Sequence, residues 1–417
     1  MRIAMISEHA SPLAALGGAD AGGQNTHVAE LSAALAAQGH EVRVYTRRDT
    51  TGRPDVVPMS GFEVVHVPAG PPVTLPKDEL LPFMGAFAEW LAAEWAAWHP
   101  DVAHAHFWMS GLATVTAARS HHIPVVQTFH ALGSVKRRYQ GAADTSPPRR
   151  IAYERQLGRA ADRIVVQCQD EIRELLLLGV PRNRMVLIPS GVNTERFRPD
   201  GPAEPRGSIV PGSPRRPEAQ APAAARPRIL TVGRLVERKG FADVIRALAW
   251  VPDAELVIVG GAPDGPDPYA DRLRELAARC RVTDRVTLAG AVPAAEMPRW
   301  YRSADVLVAA PWYEPFGLTP LEAMACGVPV VAAAVGGLKD TVVDGVTGDL
   351  VPRRDPRLLG ATLRRLLGDE MRRFSYAAAA TDRAGHSYSW RRVATQLASV
   401  YAALARTPVA ETREAVA

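Results

Sequence analysis

The chain has 417 residues, 47% of them hydrophobic and 22% charged. That length holds two or three domains, and that balance excludes a disordered or fibrous protein. A net charge of +5 spread along the chain does not argue for nucleic acid, and no apolar run reaches the roughly 18–20 residues of a membrane span.

Arg2–Ser7 is a short apolar run ending in a glycine-bearing loop, and Asn25–Gln38 reads as an amphipathic helix stopped at Gly39. Glu41–Thr46 follows as a buried-type strand, which completes a β-loop-α-β unit. The alternation continues with a strand at Glu63–Val67, a helix at Leu80–Trp98, a strand at Val102–His106 and a helix at Leu112–Arg119. Val125–Thr128, a helix near Arg150–Arg159, Arg163–Val166, a helix at Glu171–Leu178 and Met185–Ile188 complete this half. Asp200–Arg228 is rich in Pro, Ala, Gly and Arg, with only Ile209 and Val210 as large apolar residues, so a flexible linker or insertion is predicted. A second series then runs through Ile229–Val232, Gly240–Ala249, Glu255–Val259, Tyr269–Cys280, Val286–Leu288, Ala295–Ser303, Val306–Ala309, Thr319–Cys326 and Val328–Ala332. A last helix is predicted over Trp390–Ala405.

The expected class is therefore α/β: two facing Rossmann-like domains with a ligand cleft between them, beyond the carboxyl ends of the strands. The expected boundaries are 1–199 for the first domain, 200–227 for the linker and 228–387 for the second domain. A C-terminal helix at 388–406 crosses back to the first domain, and 407–417 is a tail. The first residues, Met1–His9, are too short and polar for a secretion signal. Three cysteines (Cys168, Cys280 and Cys326) form neither a disulfide framework nor a Cys-x-x-Cys zinc motif, which points to a reduced cytoplasm. Only four of the 49 basic residues are lysines: Lys77, Lys136, Lys239 and Lys339. A lysine kept against such a bias toward arginine is a candidate for a role that needs a compact, mobile ammonium.

Four motifs carry chemistry. Gly17-Gly18-Ala19-Asp20-Ala21-Gly22-Gly23-Gln24-Asn25 joins the first strand to the first helix. Its glycines let backbone approach a ligand, and the helix start favours an anion. It is not the G-x-G-x-x-G fingerprint of dinucleotide binding. Arg234 and Lys239 sit beyond the first strand of the second half, where arginine can grip a diphosphate bidentately and lysine adds a point charge. In Pro311–Gly327, Glu314 lies in a loop and Glu322 one turn into the next helix. Each carboxylate can accept two sugar hydroxyls, and the amides of Phe316, Gly317 and Leu318 lie at that helix's start, ready for a phosphate. Finally, His9, His104, His106 and His130 stand at strand ends. Ordinary packing suits His104 and His106 as well as function does, while His130 is favoured for function.

Gly22-Gly23, Arg234 with Lys239, and the pair Glu314 and Glu322 resemble the retaining glycosyltransferases of family 4, which have the GT-B fold. The likeness covers nearly the whole chain outside Asp200–Arg228 and the tail. Through Gly17–Asn25 and His106-Phe107-Trp108-Met109-Ser110-Gly111, the first half is similar to sucrose-phosphate synthases. It is more closely similar to the mycothiol-pathway transferases of N-acetylglucosamine to inositol phosphate. The resemblance implies transfer of a hexose, glucose or N-acetylglucosamine, from a UDP-sugar to a hydroxyl of a small polar acceptor. The reaction runs with retention and without a metal or other cofactor. Glu314 would contact donor-sugar hydroxyls and Glu322 the ribose. Arg234 and Lys239 would hold the diphosphate with Gly22, Gly23 and the amides of Phe316, Gly317, Leu318 and Thr319. His130 would face the donor hydroxymethyl group, and the backbone near Val292 would read the base.

On the acceptor side the resemblance implies His9, Asn25, Lys77, Phe107, Ala131 and Arg150 (Arg149 in the other register). Lys77 and Arg150 match the inositol-phosphate pattern. Phe107 replaces its tyrosine and Ala131 its threonine, which removes two hydrogen-bond donors. At roughly 1.5–3 kcal/mol per bond to a charged group, each loss is tenfold or more in affinity. A neutral sugar, cyclitol or natural-product aglycone is thus expected as readily as a phosphate. Nucleic acid and membrane are not expected partners, and a homodimer is left open. Three alternatives stand beside this reading. One is a UDP-sugar epimerase of the same architecture, and another a transferase with a lipid-linked or cell-envelope acceptor. The third is a membrane-docked form that uses Pro82–Trp98 as an interfacial helix.

Overall fold

Residues alternate by face along Arg2–Ile6 (β1): Ala4 and Ile6 join one apolar cluster and Ile3 and Met5 another. A strand buried on both faces needs helices on both sides, and the rest of the chain supplies them. The computed structural model describes residues 1–13, 22–206, 226–261 and 267–406. The glycine loop ahead of Gly22, the linker interior 207–225 and the tail from 407 lie outside these. The chain divides into two compact units: the N-terminal part to Gly191 with Trp390 onward, and Val192–Ser389.

In the first unit β1 is followed by α1 (Gly23–Ala36), β2 (Glu41–Arg47), β3 (Val56–Pro58), β4 (Glu63–Val67) and α2 (Met84–Ala97). Next come β5 (Val102–His106), α3 (Trp108–Arg119), β6 (Val125–Thr128), α4 (Gly133–Gln140), α5 (Arg150–Ala160), β7 (Arg163–Val166), α6 (Gln169–Leu177) and β8 (Met185–Leu187). The eight strands are ordered β3-β4-β2-β1-β5-β6-β7-β8. All neighbours are parallel except β3, an antiparallel edge ending at Pro58, where a missing N–H is harmless. From β1 the chain builds outward through β2 and then returns to the other side of β1 with β5. The carboxyl ends of β1 and β5 thus form the switch point of the sheet.

The second unit contains β9 (Arg228–Val232), α7 (Phe241–Leu248), β10 (Glu255–Val259), α8 (Pro268–Arg279), β11 (Val286–Gly290), α9 (Met297–Arg302), β12 (Val306–Ala309) and α10 (Leu318–Ala325). It continues with β13 (Val330–Ala333), α11 (Leu338–Thr341), β14 (Gly348–Val351), α12 (Pro356–Leu367) and α13 (Glu370–Tyr388). Its six parallel strands run β11-β10-β9-β12-β13-β14, so the switch point lies between β9 and β12. Leu230 and Leu307 face one cluster; Ile229 and Val306 face the other. Val192 donates to the Tyr388 carbonyl at 2.7 Å, which ties this unit's first residue to its last helix. The closing helix α14 (Trp390–Ala405) belongs to the first unit, where Val393, Leu397 and Tyr401 are buried with Val28 and Leu35 of α1.

Several predicted elements are corrected. Helix α2 begins at Met84 rather than Leu80, because Pro82 sits in a single 3₁₀ turn before it. Helix α3 begins at Trp108, four residues earlier than predicted, on a break at Phe107, whose φ is 81°. The sequence reading placed nothing between Ala332 and Trp390, where α11, β14, α12 and α13 stand. The linker's described ends are fixed rather than flexible. Glu204 N–H donates to the Arg299 carbonyl (2.9 Å), Arg206 pairs with Asp305 (3.0 Å), and buried Arg228 pairs with Glu255 (2.6 Å). Arginine supplies there the contacts that apolar side chains do not. Nor is Pro82–Trp98 an interfacial helix: Phe87, Leu91, Trp95 and Trp98 are buried in the first unit's core, and Trp98 Nε1 donates to Glu41 at 2.6 Å.

Candidate active site

In the second unit, chemistry collects at the carboxyl ends of β9 and β12. These strands are neighbours, which brings together Lys239 and Glu314 from 75 positions apart. Lys239 Nζ lies 2.5 Å from Glu314 Oε2, with the two side chains only 22% and 15% exposed. Burial draws the ammonium below its ordinary range, while Glu314 opposes that shift. Burial alone would raise the Glu314 carboxyl. Lys239, Arg238 and Arg234 outweigh it and hold the group below the usual carboxylate range. A buried carboxylate inside three cations is an electropositive cradle with one fixed anion.

Backbone packing holds this cradle. Gly240 has φ +76°, and a Cβ there would stand 1.9 Å from the Ala310 carbonyl oxygen, so only glycine lets the Lys239 turn lie on the end of β12. Trp312 N–H donates to the Arg238 carbonyl at 2.8 Å. Gly336 (φ +49°) leaves equally little room against the Glu314 carbonyl, which also accepts from Gly337 N–H at 3.1 Å. Gly317 caps α10, whose first-turn amides at Leu318 and Thr319 have no carbonyl partner within the helix. Glu322, one turn on, accepts from the hydroxyl of buried Tyr301 at 2.6 Å. Phe316 is buried beneath the loop, and Val292 lies just past β11, packed on the same core. Arg234 stands in the loop after β9, close enough to bias both Lys239 and Glu314.

In the first unit, β1, β5 and β6 present the other group. His9 Nδ1 lies 2.7 Å from Glu8 Oε1, and its ring meets Phe107 edge-on at 4.9 Å. Glu8 is buried; its backbone N–H donates to Ser110 Oγ at 3.0 Å, and its carboxylate accepts from the Ser110 hydroxyl. His130 lies two residues past β6 with φ +59°, and its Nε2 lies 2.9 Å from His106 Nδ1 with the rings stacked. Burial, then the neighbouring imidazoles, keeps both His106 and His130 neutral, well below the ordinary histidine range. His104 is fully used in packing, by Tyr401 (2.6 Å) and Thr128 (2.8 Å). Positive φ at Phe107 and His130 is backbone strain held at two adjacent strand ends.

Two predicted acceptor residues are spent within the chain. Asn25 Oδ1 accepts from Gly22 N–H and its Nδ2 donates to the Ser11 carbonyl, both at 2.9 Å, so it fastens the start of α1, at which Gly22 and Gly23 stand. Arg150 is buried. Its guanidinium bonds Glu154 (2.8 Å), the Ala131 carbonyl (2.6 Å) and Ser146 (3.1 Å), and it stands 5.0 Å over the Phe107 ring. Lys77 lies in a 3₁₀ turn beside Asp78, which pairs with Lys136 at 3.6 Å; Lys136 pairs with Asp144 at 3.1 Å and bonds Ser146 at 2.9 Å. Thus Phe107, Ala131, Arg150 and Lys136 form one network. Sequence reasoning missed Glu8, Glu154 and the Gly336-Gly337 turn. It had a signal for Lys136, as one of four lysines, but no motif to place it.

Residues 21–196 match the family description "Glycosyltransferase Family 4" and residues 214–383 match "Glycosyl transferases group 1". A D-inositol 3-phosphate glycosyltransferase of Xylanimonas cellulosilytica is 38% identical over 409 residues, covering 96% of each chain. The chain belongs to glycosyltransferase family 4. A protein of the same description from Corynebacterium diphtheriae is 36% identical, over 99% of this chain and 96% of its own. Among solved structures, sucrose-phosphate synthase from Thermosynechococcus elongatus superposes with a TM-score of 0.85 at 32% identity, covering 97% of this chain and 98% of its own. Anabaena HepE, solved with UDP-glucose, shares the fold at a TM-score of 0.72 and 18% identity, over 97% and 100% of the two chains. This family 4 enzyme is therefore a GT-B hexosyltransferase. Membership in the family selects transfer over epimerisation. Among the described residues no helix is long and apolar enough to cross a membrane.

Proposed function

We propose that this family 4 enzyme transfers a hexose from a UDP-sugar, with retention, to a hydroxyl of a small uncharged polar acceptor such as a cyclitol, sugar or natural-product aglycone. The observation that carries the donor half is the Lys239–Glu314 pair among Arg234 and Arg238. In this reading Lys239 and Arg234 take the diphosphate, with the amides of Leu318 and Thr319. The departing diphosphate gains negative charge as the glycosidic bond breaks, and fixed cations stabilise it most in the transition state. Glu314 accepts donor-sugar hydroxyls and steadies Lys239, while Glu322, oriented by Tyr301, accepts ribose hydroxyls. The diphosphate oxygen takes the acceptor proton on the same face. With cations doing this work, no metal is required of the reaction.

The acceptor half rests on charge balance. Arg150 is neutralised by Glu154, Lys136 by Asp78 and Asp144, and Phe107 and Ala131 carry no hydroxyl. A phosphate brought to Arg150 or Lys136 finds that cation already paired. A second reading, a phosphorylated inositol as acceptor, is favoured by the relatives, which are D-inositol 3-phosphate glycosyltransferases. The test is a pair of acceptor assays, inositol against inositol 3-phosphate, each with UDP-glucose and with UDP-N-acetylglucosamine, in buffer with and without EDTA. The proposal expects UDP release that survives EDTA and a kcat/KM at least about tenfold higher for an uncharged acceptor, the scale of one lost charged hydrogen bond. Preference for the phosphate would install the second reading. Abolition by EDTA, reversed by a divalent cation, would refute the metal-free mechanism.

A further inference from the structure

Three imidazoles meet in the first unit, from the strand end at His106, the loop after β6 at His130, and α1 at His27. Their ring centroids lie 4.9 to 5.5 Å apart. One ring nitrogen from each lies within 4.8 Å of the others, so a single point stands within about 2.8 Å of all three. Among the described residues this is the one group of three or more histidine, cysteine or carboxylate side chains so placed. Neutral imidazoles, as burial enforces, each carry a lone pair. His106 Nε2 has no hydrogen-bond partner although the residue is wholly buried, and an unpaired buried polar atom carries a desolvation cost that a ligand removes.

We infer that His27, His106 and His130 form a binding site for a borderline divalent transition-metal cation such as Zn2+ or Co2+. Zinc–imidazole bonds are about 2.0–2.1 Å, so each nitrogen moves by less than about 1 Å, within reach of small side-chain rotations. Three neutral nitrogens favour such a cation over Mg2+ or Ca2+, which take oxygen. An outer partner is already present at one ligand: His27 Nδ1 lies 2.6 Å from Ser190 Oγ, which also accepts from Gln167 Nε2 at 2.7 Å. The Ser190 hydroxyl can accept from an Nδ1–H, the arrangement that leaves Nε2 for the metal. The cation is not part of the transfer chemistry. It takes His130 away from the donor sugar, so occupation inhibits the enzyme; this consequence alone rests on the donor role proposed above for His130.

The test uses the full-length, tag-free chain stripped with chelator and titrated with Co2+, whose visible absorption reports the ligand field, then with Zn2+ in competition. One equivalent is expected to bind, Zn2+ displaces it, and His27→Gln weakens it at least about tenfold, as loss of a ligand should. His386→Gln, at an exposed histidine of α13, leaves it unchanged. X-ray absorption of the zinc-loaded parent keeps the test decisive should His27→Gln fold poorly: nitrogen neighbours near 2.0 Å are expected. Sulfur neighbours near 2.3 Å, no retained metal, or equal binding by a folded His27→Gln chain would overturn the site. Metal binding without inhibition would leave the site standing and remove the donor role of His130.

Discussion

At the scale of the residue, the second unit's chemistry depends on one buried ion pair. Lys239→Ala removes a cation from the proposed diphosphate cradle and leaves Glu314 without its partner. Turnover should fall at least about tenfold, as for loss of one preorganised charge contact; steady-state rates at saturating donor check this, and a value within about twofold of the parent would contradict the role. Glu314→Gln tests the pair through stability. A carboxyl held below its ordinary value of 4.5 binds fewer protons in the folded chain than in the unfolded one as the solution is acidified. Its contribution is therefore present above about pH 4.5 and is lost as pH falls through the folded value. At pH 7 the variant should be less stable by about 1–3 kcal/mol, less than a wholly buried pair because both side chains keep some solvent. Thermal unfolding at stepped pH should show the gap between parent and variant closing below pH 4.5. A gap that widens on acidification would refute the assignment. Neither partner was legible as half of a pair from the sequence. Arg234, Lys239, Glu314 and Glu322 were separable as motif residues because each follows a strand. That Lys239 meets Glu314 depends on β9 lying beside β12, an order no local pattern encodes.

At the scale of the element, loops are shaped by glycines that admit another loop's carbonyl. Gly336→Ala would set a Cβ 1.9 Å from the Glu314 oxygen at a positive φ. Overpacking and the left-handed backbone together should cost at least about 2 kcal/mol. The loop bearing Glu314 must then move, so activity should fall further than the loss of folded protein explains. Melting and kinetics on the same preparation separate the two, and full specific activity with an unchanged melting temperature would contradict this propping. The same scale shows what the sequence displayed and what it hid. Most strands of both sheets were plain because they are short apolar runs between turn residues; the edge strands β3 and β14 were not. Helix α13 was not, because half of its buried stripe of Tyr376, Ala380, Ala384 and Tyr388 is alanine, which looks equally at home on a surface. The Phe107 break was hidden too, since aromatic residues rarely take positive φ and nothing nearby announces it. Asn25 looked like a ligand-loop residue; that its short amide closes the start of α1 needed the structure.

At the scale of the whole molecule, the last helix completes a unit that the first residues begin. Leu397 and Tyr401 of α14 are buried among Val28, Leu31 and Leu35 of α1, and Tyr401 bonds His104 beneath β5. Leu397→Ala should destabilise the first unit by about 2–5 kcal/mol, read as a lower midpoint in the part of the unfolding profile assigned to that unit. An unchanged profile would mean the helix is not part of that core. Each unit carries its functional groups at the switch point of its own sheet: Glu8, His9 and Phe107 at β1 and β5, and Arg234, Lys239 and Glu314 at β9 and β12. This placement was readable in outline, since repeated β/α alternation with chemistry-bearing residues after strands points to carboxyl ends. The neutralised surroundings of Arg150, and with them the reading of the acceptor, needed the ion pairs themselves.

The most direct test of the central claim is the anomeric configuration of the product made from a UDP-α-hexose, read by proton NMR of the purified product alongside UDP release, for the parent and for Lys239→Ala. The account predicts an α-linked product, formed by the parent and at least about tenfold more slowly by the variant. A β-linked product, or equal rates in the two enzymes, would contradict it.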